Sequence, residues 1–151
     1  MLINNKIDTC TLSVPNPFEE NKVIDLSIRK EKNSKIKVDY IDSKPRISVN
    51  LYLEAHGLTL NKTVDYTSLE TMQKLEISSE QYLKEKLENF LYKTSKEFNS
   101  DICGFGKHAL SKYLTWDEWQ NSNWLDNYRA SFFDVNVNLT LISGSEFDKS
   151  P

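Results

Sequence analysis

Apolar and polar residues alternate along most of the first third of the chain. The apolar members are Cys10, Leu12 and Val14, then Ile24, Leu26 and Ile28, then Ile36, Val38 and Tyr40, and lastly the odd positions from Ile47 to Ala55. A period of two is typical of strands with one buried and one solvent-facing side. Pro15-Asn16-Pro17 breaks the first repeat, and turns are predicted at Asn33-Ser34 and at Asp42 to Pro45. Such short connections favour antiparallel neighbours.

The middle of the chain changes to a helical period. Thr67-Ser68-Leu69-Glu70 has the form of a capping box and predicts a short helix, while Ser78 is expected to cap a second helix that runs to about Phe98. A third helix is expected from Asp101 to about Leu114. Thr115 precedes Trp116-Asp117-Glu118 and marks one or two further helical turns.

A last alternating stretch begins at Phe133 and runs to about Ser143. Strands, then helices, then one closing strand predict an α+β fold. We expect a mainly antiparallel β-sheet, with a long amphipathic helix and shorter helices packed on one face, and a closing C-terminal strand. The 151 residues, 1–151, are expected to form a single domain.

Composition narrows the classes of function. Charged residues make up 27% of the chain and the net charge is −3, so nothing drives the whole chain toward nucleic acid. No apolar run approaches the ~20 residues of a membrane-spanning helix, and a soluble fragment is expected. The two cysteines, Cys10 and Cys103, fit neither a disulfide framework nor a zinc motif, and Cys103 is interpreted as a small buried hydrophobe.

Basic residues are concentrated between positions 29 and 46. Seven are basic (Arg29, Lys30, Lys32, Lys35, Lys37, Lys44, Arg46) and three acidic (Glu31, Asp39, Asp42), so the local net charge is 7 − 3 = +4. Such a patch can contact an anionic membrane surface or an acidic partner. The same pattern is also typical of a sheet face that is simply solvated.

Two of the four glycines lie one residue apart, in Gly104-Phe105-Gly106. This element is too short for a phosphate-binding loop and lacks the residues of one. We expect the glycines to allow a close backbone approach and Phe105 to fill the core. Asp101, just before them, is interpreted as a helix cap and not as a catalytic acid.

A tryptophan-rich segment follows. Trp116, Trp119, Trp124 and Tyr128 could line a pocket for a small molecule. The nearby carboxylates of Asp117, Glu118 and Asp126 leave a glycan-cleaving pair open, although aromatic packing on helix faces explains the same pattern. His56 and His108 belong to no metal-binding or acid–base motif. No catalytic, cofactor-binding or metal-binding residue, and no cofactor, is predicted.

The order of these elements resembles the C-terminal domain of the Ger(x)C family of spore germination lipoproteins. The resemblance rests on Leu12 to Pro15, Val23 to Ile28, Ser34 to Lys37, the helix from Ser79 to Phe98, Ser100 to Gly106, Trp124, and the closing strand through Gly144. Cys103 departs from the family, which usually carries an aliphatic or aromatic residue there.

The resemblance implies a domain without enzymatic activity. In this family the full-length protein is the lipid-anchored C subunit of a nutrient germinant receptor on the outer face of the inner spore membrane. Its expected partners are the integral-membrane A and B subunits. The upstream domains and the lipid anchor are expected to lie outside this chain. Three hypotheses follow: a receptor-subunit domain acting through its surfaces, a nutrient-binding module using the tryptophans, and a glycan-cleaving enzyme.

Overall fold

The pairing of the strands follows the alternation of the sequence. The computed structural model describes residues 2–57 and 64–142. Its four strands are β1 (Thr9–Pro15), β2 (Val23–Ile41), β3 (Lys44–Gly57) and β4 (Phe132–Leu141), and they lie in the order β1-β2-β3-β4. β1 with β2 and β2 with β3 are antiparallel, whereas β4 is parallel to β3. The predicted α+β fold with a mainly antiparallel sheet is therefore confirmed.

The predicted turn at Asn33-Ser34 is wrong. β2 runs through these residues as one strand of 19 residues, and its register against β3 shifts between Lys30 and Lys32 and again between Lys32 and Lys35. Each shift places an extra residue on β2, which is the pattern of a β-bulge. The turn at Asp42-Ser43 is confirmed, with both residues at positive φ.

The two helices predicted between residues 67 and 98 form one helix. Helix α1 (Leu69–Lys96) is 28 residues long, and its N-cap Ser68 accepts a hydrogen bond from Thr71 N–H. No helix begins at Ser78, because nothing before it stops the first helix. Ser79 is instead fully buried inside α1.

Short helices connect α1 to β4. The helix predicted from Asp101 to Leu114 is shorter, and consists of α2 (Gly106–Ala109) followed by a 3₁₀ turn (Leu110–Lys112). Helix α3 (Trp116–Asn121) begins as predicted after Thr115, whose hydroxyl accepts from Glu118 N–H. Helix α4 (Trp124–Arg129) then leads into β4. These helices carry the chain back across the sheet, which a parallel pairing requires.

One apolar core lies between the sheet and the helices. The odd positions of β3 and β4 that point inward are buried, as are Leu75 and Leu91 of α1, Phe105 and Tyr128. Cys103 also belongs to this core, which confirms its interpretation as a small buried hydrophobe. The opposite face of the sheet, called the outer sheet face below, carries the even positions of β3 from Arg46 to His56, which are exposed or half-buried.

Candidate functional site

The two bulges of β2 change which residues reach the outer sheet face. In a regular strand, residues an odd number apart point to opposite faces. Lys32 pairs with Tyr52 and Lys35 with Asn50, so both lysines share one face although they are three positions apart. The bulges therefore align Arg29, Lys32, Lys35 and Lys37 in one row and omit Glu31.

Lys32 and Lys35 converge on one aromatic ring. Lys32 Nζ lies 4.0 Å and Lys35 Nζ 6.0 Å from the centroid of the Tyr52 ring. A ring face attracts a cation within about 6 Å through its quadrupole. This arrangement, called the Lys32–Tyr52–Lys35 cluster below, holds two positive charges together, and neither lysine belongs to an ion pair within the described residues.

The other basic side chains of the predicted patch are mostly compensated. Arg29 pairs with Glu54, and Arg46 pairs with Asp134 at 3.0 Å. Lys37 Nζ lies 3.0 Å from Asp39 Oδ2, and this hydrogen bond contributes most to lowering the pKa of that exposed carboxyl group. Arg29, Lys37 and Arg46 thus each have a carboxylate partner, which Lys32 and Lys35 lack.

Two further lysines of the region are held by uncharged groups. Lys30 Nζ donates to Asn5 Oδ1, and Lys44 Nζ lies 5.8 Å from the centroid of the Phe132 ring. Asn5 Oδ1 also accepts from Ser34 N–H at 3.0 Å, which ties the N-terminal segment to the second bulge. Lys30 therefore helps to fix the bulged strand and adds little to the cationic row.

Two of the three tryptophans, Trp119 and Trp124, belong to one aromatic stack. The rings of Trp119 and Trp124 are stacked with centroids 5.8 Å apart, and Trp124 lies 6.0 Å from the fully buried Tyr128. Tyr113 contacts the edge of Trp119 at 5.4 Å and also Tyr40, through a hydroxyl–hydroxyl hydrogen bond of 2.8 Å. Burial and this hydrogen bond raise the pKa of Tyr40. The stack extends the core to the surface.

The carboxylates near the tryptophans bind local donors. Glu118 Oε2 accepts from Leu114 N–H at 3.0 Å, and Asp126 accepts from the side-chain amide of Asn123. The first contact belongs to the start of α3, whereas the second joins two side chains at the start of α4, so each carboxylate is engaged by a donor of its own segment. The geometry expected of a glycan-cleaving pair is not supported by these two residues.

Asp101 acts as the cap that the sequence predicts. Its Oδ1 accepts from Phe105 N–H at 2.8 Å, and its Oδ2 accepts from Gly106 N–H at 2.7 Å and from the indole N–H of Trp124 at 2.9 Å. A Cβ at Gly106 would lie 2.9 Å from Trp124 Nε1, closer than real Cβ contacts, and Gly104 has φ +77°. The two glycines thus allow a close approach and a left-handed backbone, as expected.

A row of side chains on α1 covers the open edge of β4, and the sequence analysis missed it. Leu141 N–H donates to Glu76 Oε1 and Leu139 N–H to Glu80 Oε1, both at 2.8 Å. Val135 N–H donates to Glu88 Oε1 at 3.2 Å, and Phe133 N–H donates to Tyr92 Oη at 3.3 Å. The four-residue spacing along α1 is the only signal in the sequence that could have indicated this row.

The same spacing places Lys84 opposite Val137. An ammonium group has no lone pair to accept an N–H bond, so the row of acceptors is interrupted here. A groove of ≈ 600 Å³ lies at this point, lined by residues of α1 and β4 that include Lys84, Glu85 and Val137. Most of its lining residues are polar, and they include more carboxylates than cations.

The described ranges contain two free thiols, but no metal-binding cluster and no membrane-spanning helix. Residues 2–57 and 64–142 contain no group of three His, Cys, Asp or Glu side chains that could hold a metal ion. Both cysteines are free, and burial raises the pKa of the Cys103 thiol to about 12. None of the described helices combines the length and apolar character that a bilayer crossing requires.

The chain matches, over residues 1–144, the family described as spore germination B3/GerAC-like, C-terminal. The chain belongs to this family. The fold agrees with the crystal structure of the GerBC protein, with a TM-score of 0.71 at 16% sequence identity. The match covers 94% of this chain and 43% of the GerBC chain, so the chain spans less than half of that protein. A search of curated proteins gave no match.

Membership of the GerAC-like family confirms the resemblance drawn from the order of sequence elements. The Gly104-Phe105-Gly106 element, Asp101 and Trp124, which carried part of that resemblance, now have a shared structural explanation in one set of hydrogen bonds. The identity with GerBC is low, so the structural match describes the fold and assigns no role to single residues.

Proposed function

We propose that this chain is the C-terminal domain of a lipid-anchored germinant receptor C subunit, and that it supports receptor assembly or signalling without catalysis. Its family of spore germination proteins supports this assignment. The proposed location is the outer face of the inner spore membrane, and the proposed partners are the integral-membrane A and B subunits. The domain acts through its surfaces.

The Lys32–Tyr52–Lys35 cluster is the observation that carries this proposal. Two ammonium groups without a carboxylate partner repel each other, and the bulges of β2 hold them on one ring. An approaching anionic group relieves that repulsion and gains charge-assisted contacts. The cluster is therefore the place on the outer sheet face where an acidic surface, of a partner subunit or of anionic lipid, binds best.

The test is a double charge reversal, Lys32→Glu with Lys35→Glu, in the complete protein produced in spores. The matched control is Lys86→Glu with Lys93→Glu, because these lysines also lie over aromatic rings, at 5.4 Å from Tyr82 and 5.7 Å from Phe98, but on α1. Germination rate, the amount of the subunit in the inner membrane and co-purification with the A and B subunits are measured for both variants.

We expect the cluster variant to lower germination and co-purification while the control variant behaves like the unchanged protein. Thermal unfolding of the purified domains checks that both variants fold. Normal germination and normal co-purification in the cluster variant would remove the cluster from the proposal. Loss of the subunit in both variants would indicate a general effect of net charge.

A further inference from the structure

Leu114 and Trp116 project from the connection between the 3₁₀ turn and α3. Leu114 is 92% exposed, the most exposed of the large apolar side chains in the described residues, and Trp116 is 61% exposed. In contrast to Trp119 and Trp124, Trp116 makes no ring contact with any described residue. The segment Leu114–Trp116 is called the apolar tip below.

The backbone of the apolar tip is fixed. Glu118 N–H donates to Thr115 Oγ1 at 3.1 Å, and Leu114 N–H donates to Glu118 Oε2 at 3.0 Å, so Glu118 is hydrogen-bonded to both of the residues that precede Trp116. Tyr113, immediately before the tip, is held by the Tyr40 hydroxyl and by the Trp119 ring. The two apolar side chains are therefore presented by a rigid turn and do not depend on a mobile loop.

A rigid, exposed Leu and Trp pair has the character of a binding anchor. Trp is enriched among the few residues that contribute most of the free energy of protein association, because it buries a large area at little entropic cost. Pre-organisation of the turn lowers the cost of binding further. The core of the domain does not use either side chain, since each is mostly in solvent.

Charge identifies the kind of surface that the apolar tip fits. Residues 113–127 contain three carboxylates, Asp117, Glu118 and Asp126, and no basic side chain, and the preceding Lys112 is paired with Asp39 at 3.3 Å. An anionic bilayer repels such a segment. We propose that the apolar tip inserts into an apolar pocket of a partner protein, and that basic residues line the rim of this pocket.

Photocrosslinking in spores tests this. The complete protein carries the photoreactive residue p-benzoylphenylalanine at position 114, and a control protein carries it at position 69, because Leu69 at the start of α1 is also highly exposed, at 71%. We expect a light-dependent adduct with another polypeptide from position 114 and none from position 69. The crosslinked peptide of the partner, identified by mass spectrometry, should come from an apolar pocket with Lys or Arg at its rim.

Two further substitutions, each made in the protein that carries the probe at position 114, test which side chains contribute to binding. Trp116→Ala should lower the yield of the adduct about tenfold or more, as for an anchor residue. Asp117→Lys should also lower it, because it opposes the basic rim, while it leaves the capping pair of Thr115 and Glu118 intact.

Several outcomes overturn the proposal. These are an adduct with lipid, an adduct with a second copy of the same chain, an adduct of equal yield from both positions, or no adduct from position 114. The result is independent of the Lys32–Tyr52–Lys35 cluster, which lies on the sheet. If no adduct forms and the cluster variant germinates poorly, the proposed role of the apolar tip is rejected while the proposed function is retained.

Discussion

The indole N–H of Trp124 donates to Asp101 Oδ2 at 2.9 Å, across the space that a side chain at position 106 would occupy. One carboxylate thereby joins the start of α2 to the first residue of α4. The stack of Trp119, Trp124 and Tyr128 depends on this link, because Trp124 is its central ring.

Gly106→Ala should destabilise the domain by about 1–3 kcal/mol, the usual cost of forcing a methyl group into a packed site. The new Cβ would lie 2.9 Å from Trp124 Nε1 and 3.3 Å from Asp101 Oδ2. Urea unfolding measures the loss of stability, and tryptophan fluorescence should shift because the indole moves. Gly104→Ala is the matched control: nothing lies within 4 Å of its Cβ, so it should cost backbone strain of about 1–2 kcal/mol without a native-state fluorescence shift. Identical fluorescence in the two variants would contradict this account.

Asp101→Ala should cost about 2 kcal/mol or more of stability, because it leaves three partly buried donors without their acceptor. Asp101→Asn keeps one acceptor oxygen, so its loss should be smaller. Urea unfolding compares the two variants with the unchanged domain, and Asp117→Asn, a change at an exposed aspartate, serves as control. Equal stability of the alanine variant and the unchanged domain would show that the link between α2 and α4 contributes nothing.

The amide of Val137 should exchange with solvent deuterium faster than its neighbours on β4. Val135 and Leu139 donate to Glu88 and Glu80, whereas Val137 faces Lys84, which cannot accept. Exchange followed by NMR at single residues measures the difference. In the variant Lys84→Gln, which supplies a carbonyl oxygen, the Val137 amide should slow while Val135 is unaffected. A Val137 amide as protected as Leu139 in the unchanged domain would contradict the prediction.

Alkaline conditions should weaken the domain through Cys103. Burial raises the pKa of this thiol from its ordinary value of 9.0 to about 12, so the folded state holds the proton more tightly than the unfolded chain. The contribution to stability is complete below pH 9.0 and is lost as the pH rises toward about 12. The stability difference between the unchanged domain and Cys103→Ala, from urea unfolding at several pH values, should therefore decline above pH 9.0. Tyr128, with a pKa raised to about 12 mainly by burial, is present in both proteins, and only the part of its shift that comes from the Cys103 charge differs between them. A difference that stays constant with pH would be the contrary result.

Sequence reasoning succeeded where local pattern decides the structure. Alternation placed β1, β3 and β4, Thr115 marked the start of α3, and Asp101 was recognised as a cap. In each case one residue type has one strong local preference, which tertiary contacts did not override.

It failed where distant residues decide. Asn33-Ser34 has the composition of a turn. However, Asn5 Oδ1 accepts from Ser34 N–H and the Ser34 hydroxyl donates to Leu2 O. These contacts come from a segment about thirty positions away and hold the pair in a β-bulge. Ser78 has cap chemistry, but a helix that is already formed continues through it. The parallel pairing of β4 also depends on the path of the whole chain.

In the candidate site too, local pattern predicted some features, while others depend on contacts between distant residues. Local charge indicated the basic region, but only the register of β2 against β3 selects Lys32 and Lys35 from it and pairs Lys37 with Asp39. Position in the sequence grouped Trp116 with the other tryptophans, whereas burial separates it from them. The side chains of α1 that accept from β4 N–H groups can be recognised only when the positions of both elements are known.

The carboxylates of α1 also limit how this sheet can grow. An uncovered edge strand can template pairing with another chain, and β4 offers most of its free N–H groups to Glu76, Glu80, Glu88 and Tyr92. Among the four described strands, β1 is the other edge, and it is short and ends at Pro15. Intermolecular β-sheet extension, in fibrils or in domain swapping, would therefore have to begin at β1 or at the part of β2 beyond Arg29, which β1 does not pair with, and the side of the domain that carries α1 stays protected from it.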